Sequence, residues 1–229
     1  MSGIVGSKFN IRGSGLVGSL GTDGQHMLSS GAGKSNVFET VAGGGGAWEY
    51  IARQTLGSDA SDIQFIDGTA ATDGTPDFGS DYAAVVFFME TFAPATDNSQ
   101  PRMQISTDAG SSYVTSNYLS GSNYIQATAG AATNTPLYNN GCFKLGYVTD
   151  NDASSGLNGY VYIYNTSATV EPHATWQFTC RYDDVSGVTA YYGGAFNTTA
   201  QNVDAVKFYF NSGNVLAGTE IRMYGIKAS

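Results

Sequence analysis

His26, His173 and three close aspartate pairs are where this chain of 229 residues could carry acid–base chemistry. A nucleophilic triad needs a histidine beside a serine and a carboxylate, and no Gly-x-Ser-x-Gly elbow accompanies His173, which follows Pro172. A glycosidase needs two carboxylates facing each other across a cleft. Asp59 with Asp62, Asp150 with Asp152, and Asp183 with Asp184 instead sit in turn-like contexts, where aspartate caps backbone N–H groups. Asp150-Asn151-Asp152 offers oxygens of the kind calcium takes, but without the fuller spacing of a dedicated loop.

Two glycine motifs fail on their own terms. Gly13-Ser14-Gly15-Leu16-Val17-Gly18 has the dinucleotide spacing without the flanking strand and helix that would seat a pyrophosphate. Gly31-Ala32-Gly33-Lys34-Ser35 ends like a phosphate loop, yet Leu28 stands where its first glycine is required. The expectation is therefore no catalytic residue, no metal ligand and no cofactor.

Recognition chemistry is better represented. Tyr113, Tyr118, Tyr124 and Tyr138 interleave with Ser, Asn and Thr. That mixture suits stacking on a glycan or rigid contact with a protein. The plainer reading, that these rings line a subunit interface or cap the core, weighs more.

The elements that must position such residues follow from composition. Charged residues make up only 13% of the chain, against 30 Gly, 15 Tyr and 12 Phe, the usage of a β-rich surface wetted by hydroxyls and amides. A net charge of −9, with ten scattered basic residues, argues against a nucleic-acid partner, which demands clustered Lys and Arg. No cationic start followed by an apolar run reads as a secretory signal, and no stretch is apolar enough to span a membrane, so synthesis in the cytoplasm is expected. Cys142 and Cys180 are too few and too far apart for a disulfide framework, and read as reduced and buried.

Residues 1–45 are glycine- and serine-rich, nearly uncharged and too poor in large apolar groups to bury a core. They read as an extended arm that a partner surface must hold down, with Ile4, Val5, Phe9, Ile11, Leu16, Val17 and Leu20 as the side chains offered to it. Residues 46–229 read as one β domain. Its strands are expected at Trp48 to Thr55, Asp62 to Ile66, Tyr82 to Phe92, Arg102 to Ser106, Phe143 to Val148, Tyr160 to Tyr164, Thr175 to Arg181, Thr189 to Tyr192, Val203 to Phe210 and Glu220 to Ile226. Trp176, Phe178 and Cys180 alternate with Thr175, Gln177, Thr179 and Arg181, which places one set inward. Tyr82 to Phe92 is apolar on both sides, so a central strand is expected, covered on one face by the sandwich core and on the other by a neighbouring subunit or loop. Residues 116–136 show no alternation and read as an exposed loop or a contact element. Short strands between Asn-Gly and Asp-Gly turns predict an all-β antiparallel sandwich of jelly-roll type, preceded by the glycine-rich arm.

The segment Leu20-Gly21-Thr22-Asp23-Gly24-Gln25-His26-Met27-Leu28-Ser29-Ser30-Gly31-Ala32-Gly33 resembles an element of fibre and adsorption proteins of tailed bacteriophages. The start, Met1-Ser2-Gly3-Ile4-Val5-Gly6-Ser7-Lys8, is similar to the short anchors of such virion proteins. Ser80-Asp81-Tyr82, Asp97-Asn98, residues 103–113 and residues 211–226, with the closing Ala217-Gly218-Thr219-Glu220-Ile221-Arg222-Met223-Tyr224-Gly225 the most specific piece, resemble landmarks of a phage jelly-roll domain. The resemblance implies a non-enzymatic virion structural protein: a short fibre, a capsid decoration or a tail- or baseplate-attached component. Its arm would be anchored in other virion proteins, and its domain would be homo-oligomeric with a trimer favoured. A host-receptor or glycan-binding fibre module is the alternative.

Overall fold

The structure is a computed structural model that describes residues 25–28, 37–40, 47–126, 132–166, 169–181 and 187–228, with the backbone alone for 25–28, 37–40, 126 and 132–140. Two compact units are present, residues 1–46 and 47–229. In the first, β1 (Gln25–Leu28) and β2 (Val37–Thr40) pair antiparallel, so the arm carries a short ladder that its glycine content conceals.

All named elements of the second unit are strands: β3 (Trp48–Thr55), β4 (Asp62–Ile66), β5 (Asp73–Gly74), β6 (Tyr82–Phe92), β7 (Pro101–Ser106), β8 (Tyr118–Gln126), β9 (Ala132–Asn140), β10 (Phe143–Lys144), β11 (Leu157–Tyr164), β12 (His173–Arg181), β13 (Val188–Asn197), β14 (Ala205–Phe210) and β15 (Glu220–Lys227). Among the described residues no helix is long and apolar enough to cross a membrane. A four-stranded sheet runs β10-β7-β14-β4, and a nine-stranded sheet runs β5-β3-β15-β6-β11-β12-β13-β8-β9. Every pairing is antiparallel.

The pairs nest. β3 pairs with β15, β4 with β14, β6 with β11 and β7 with β10, which is the rolled-up ribbon of a jelly roll. The hairpins β12-β13 and β8-β9 extend the long sheet beyond that motif. Eight of the ten expected strands recur within three residues of their observed start and end. The segment expected from Phe143 to Val148 closes after Lys144, and the one expected from Thr189 to Tyr192 runs on to Asn197. Residues 116–136, expected as a loop or contact element, instead contribute β8 and the start of β9. Their inward positions are Tyr118, Ser120, Ser122 and Tyr124, too polar a set to register as alternation.

The core lies between the sheets. Phe87 of β6 sits edge-to-face with Phe65 of β4 and Phe208 of β14, both at 5.1 Å between ring centroids, and Phe92 stacks on Phe210 at 4.4 Å. Val85, Met89, Val161, Ile163, Ile221 and Met223 complete the layer from the long sheet. Two tyrosine hydroxyls tie the core to backbone groups: the Ile105 N–H donates to the Tyr118 hydroxyl at 3.1 Å, and the Tyr191 hydroxyl donates to the Val148 carbonyl at 2.5 Å. Cys142 and Cys180 are buried free thiols, and burial pushes Cys180 up to about 12. After β7 the chain reverses through Asp108, whose carboxylate accepts from the Ser112 N–H at 2.8 Å and the Ser112 hydroxyl at 2.6 Å. Those bonds, with one from Ser106, hold its acidity below the usual carboxylate value.

Candidate interaction face

Period two sends every second residue of the long sheet away from the core, and the strand registers arrange these residues in cross-strand rows. The first row reads Trp48, Ile226, Ala84, Tyr164, His173, Phe196, Leu119 across β3, β15, β6, β11, β12, β13 and β8. The second reads Tyr50, Tyr224, Val86, Tyr162, Thr175, Gly194, Gly121, and the third Arg53, Arg222, Phe88, Tyr160, Gln177, Tyr192, Asn123.

Over β3, β15, β6 and β11 these rows form a continuous aromatic layer. Trp48 lies 6.0 Å from both Phe88 and Tyr162, Tyr50 lies 5.5 Å from Tyr224, Phe88 lies 5.6 Å from Tyr224, and Tyr162 stacks on Tyr164 at 5.9 Å. The small residues of the central strand permit this. Ala84 and Val86 point outward yet are 4% and 0% exposed, because the rings of the flanking strands lean over them. The second face of Tyr82–Phe92, expected to be covered by a neighbouring subunit or loop, is thus covered in part by this chain's own rings. Three of the rings stay open, Trp48 at 44% exposed, Tyr50 at 42% and Tyr164 at 36%, while Phe88, Tyr160, Tyr162 and Tyr224 are half-buried. Burial among its neighbours, then the nearby Tyr164 and Tyr160, push the Tyr162 hydroxyl above its usual value.

A rim of mixed charge borders the layer. Arg222 pairs with Glu90 and Glu220, Arg53 lies 3.8 Å from Glu220, and Lys227 lies 3.1 Å from Glu49. Four strands at about 4.8 Å and three rows about 7 Å apart give a flat footprint of roughly 300 Å². That is comparable to the largest apolar patch of a typical monomeric domain, and such patches are often functional.

Past β11 the surface drops. A groove of about 700 Å³ opens over β12, β13 and β8, with Gly194 and Gly121 facing each other in its floor. One wall is Tyr164 with the stacked rings of His173 and Phe196, 5.2 Å apart. Beyond the floor the third row rises again, where the Tyr160 hydroxyl donates to Gln177 Oε1 at 3.0 Å and Tyr192 stands exposed.

The tyrosines singled out from sequence are not brought together. Tyr118 is fully buried in the core, its hydroxyl turned to the β7 backbone, so it presents nothing to a glycan. Tyr124 is partly buried and stacks on Tyr147 at 5.6 Å. Tyr113 lies against the four-stranded sheet, donating to Gln64 Oε1 at 3.1 Å with Lys207 Nζ 4.3 Å from its ring. Tyr138 stands in β9, outside the residues whose side chains are described. Ile4, Val5, Phe9, Ile11, Leu16, Val17 and Leu20, both glycine motifs, and Asp183 and Asp184 lie outside the described residues.

The remaining carboxylates have structural partners. Asp59 accepts from the Ala217 N–H at 2.9 Å and Asp62 from Gln64 Nε2 at 2.8 Å. Asp150 and Asp152 flank the Arg181 guanidinium at 3.6 and 3.8 Å, and Asp152 also accepts from the Ser154 N–H and hydroxyl, which lower its pKa. Among the described residues no three His, Cys, Asp or Glu side chains cluster as metal ligands would. Sequence reasoning missed the aromatic layer. The signal was present in the spacing Trp48-x-Tyr50, Tyr160-x-Tyr162-x-Tyr164 and Tyr224, large rings on the side of each strand that the core leaves open. Compared with family models, with curated proteins and with solved structures, the chain finds no match.

Proposed function

We propose that this protein is a non-enzymatic structural component of a bacteriophage particle, anchored by residues 1–45 and self-associating through the outer aromatic layer of its jelly roll. The observation that carries the reading is that layer: seven rings on four adjacent strands, packed on one another, three of them exposed and four half-buried. Tyr and Trp give large contact area with few rotatable bonds, so little entropy is lost when a partner covers them. A second copy of the chain is the occupant that fits. The rim carries Arg and Glu side by side, so identical faces can exchange ion pairs, whereas a rim of one sign would repel its copy. The phage setting rests on the arm and on the closing Ala217-Gly218-Thr219 to Gly225 segment, through their likeness to virion proteins. Several tethered arms on one oligomer would hold a particle far longer than one.

Sedimentation equilibrium of the full chain tests the association. The expected result is an oligomer, a trimer in the favoured case, whose dissociation constant rises at least tenfold when Trp48→Ser and Tyr224→Ser are combined. A monomer at about 100 μM would overturn it. For the setting, residues 47–229 alone should fold yet fail to join particles.

A further inference from the structure

Gly121 and Gly194 lie opposite each other in the middle of β8 and β13, where glycine is the least favourable choice for a strand. Most glycines in this sheet have an evident cause. A Cβ on Gly193 would sit 2.4 Å from the Trp176 ring, one on Gly225 would sit 2.2 Å from Tyr82, and Gly159 has a φ of +155°. Neither cause applies to Gly121 or Gly194. A Cβ on Gly121 meets nothing within 4 Å, and one on Gly194 meets only ordinary contacts at 3.7 and 3.9 Å. Both backbones lie outside the left-handed region. The fold would accept alanine at either position, and what a side chain would fill is the floor of the groove.

We infer that this groove is a binding site for a neutral saccharide. Its volume, about 700 Å³, is within the range of small-ligand sites. Tyr164 and the stacked His173–Phe196 pair offer flat ring surfaces at its wall, on which the C–H face of a pyranose can lie. Thr175, His173 and Asn165 supply hydrogen-bonding groups for its hydroxyls. No carboxylate, ammonium or guanidinium group lines the groove among the described residues, although the chain carries a net charge of −9, so the site matches an uncharged ligand. The two glycines let the sugar ring reach the sheet backbone. Tyr164 belongs to both sites, but the floor and the His173–Phe196 wall lie on β8, β12 and β13, beyond the strands of the aromatic layer, so the inference does not depend on self-association.

The test applies the full chain to a printed array of neutral and acidic oligosaccharides, followed by calorimetric titration of the best neutral one. The expected result is selection of neutral hexose-containing glycans, with affinity at least tenfold weaker in Gly194→Val and in His173→Ala. Gly121→Ala and Gly194→Ala should melt no lower than the parent while also binding more weakly. An array with no neutral glycan bound, unchanged affinity in Gly194→Val, or a lower melting temperature for Gly194→Ala would each overturn the inference. Failure here leaves the aromatic layer's role standing, and dissociation by Trp48→Ser with Tyr224→Ser leaves this one standing.

Discussion

The sheet formed by β3, β15, β6 and β11 has aromatic rings packed on both of its faces, inward through β6 against the rings of the opposite sheet and outward on all four strands, and the two sets differ in kind. Inward, the rings that meet Phe87 and Phe92 are phenylalanines packed edge-to-face, tilted or stacked, and all are buried. Outward, ring spacings are similar, but five of the seven rings are tyrosines and a sixth is tryptophan. A hydroxyl or indole N–H at the tip of a ring tolerates water when the face is open and can find a partner when it is covered. The inner layer is thus built for permanent burial, and the outer one for a surface that stands partly in water.

The sharpest way to break this comparison is to remove neighbouring rings of β6 that point opposite ways. Phe87→Ala should cost about 3–5 kcal/mol in urea unfolding, the range for a buried phenylalanine, whereas Phe88→Ala should cost clearly less and act mainly on self-association. Equal losses in subunit stability would mean that the outer layer is a second core rather than an interface.

The tyrosine hydroxyls allow a finer version. Tyr118→Phe leaves the buried Ile105 N–H without its acceptor, an expected loss of about 1–3 kcal/mol, while Tyr162→Phe should stay within about 0.5 kcal/mol. Thermal unfolding of the two variants reads both. If Tyr118→Phe proves neutral, the hydroxyl does not tie β8 to β7 as described.

The smallest effect near neutrality is on pH dependence. Burial raises Cys180 to about 12 and Tyr82 to about 12, and raises Tyr118, so these groups stay protonated when folded. Their stabilisation is complete below the unfolded values, near 8.5 for Cys and 10 for Tyr, and is lost as pH rises through the folded ones. Asp108 and Asp152 are lowered, so their contribution is present above about 4 and is lost as pH falls through their folded values. Melting temperature should therefore be flat from about pH 5 to 8 and fall on both sides, the alkaline fall being reduced in Cys180→Ala.

The sandwich could be read from the chain because its central strands alternate strongly, as in Trp176, Phe178 and Cys180 of β12, or are apolar throughout, as in Val85 to Met89 of β6. The strand β8 escaped because its inward positions include Ser120 and Ser122, small hydroxyl residues 7% and 6% exposed that give no hydropathy contrast with Gly121 and Asn123. The tyrosine cluster proposed from that same stretch dissolved for a related reason: once 118–126 is a strand, Tyr118 and Tyr124 both turn inward. The groove and the aromatic layer were hidden more deeply. Each is assembled from single residues of strands far apart in sequence, and only the register that sets Tyr224 beside Val86 and Tyr162, or Gly194 beside Gly121, creates them.

The nested pairing also constrains how the domain is born. β15 lies between β3 and β6 in the long sheet, and it is the last strand in chain order. Until it emerges from the ribosome, β3 has no neighbour on that side and the paired edge of β6 is bare, so the sheet stays divided however long the earlier strands wait. Non-local closure of this kind is slow, and bare strand edges invite pairing with other nascent chains. Closure of the long sheet is thereby deferred until Glu220–Lys227 has been made, and the outer aromatic layer, which needs Tyr224, is completed only then.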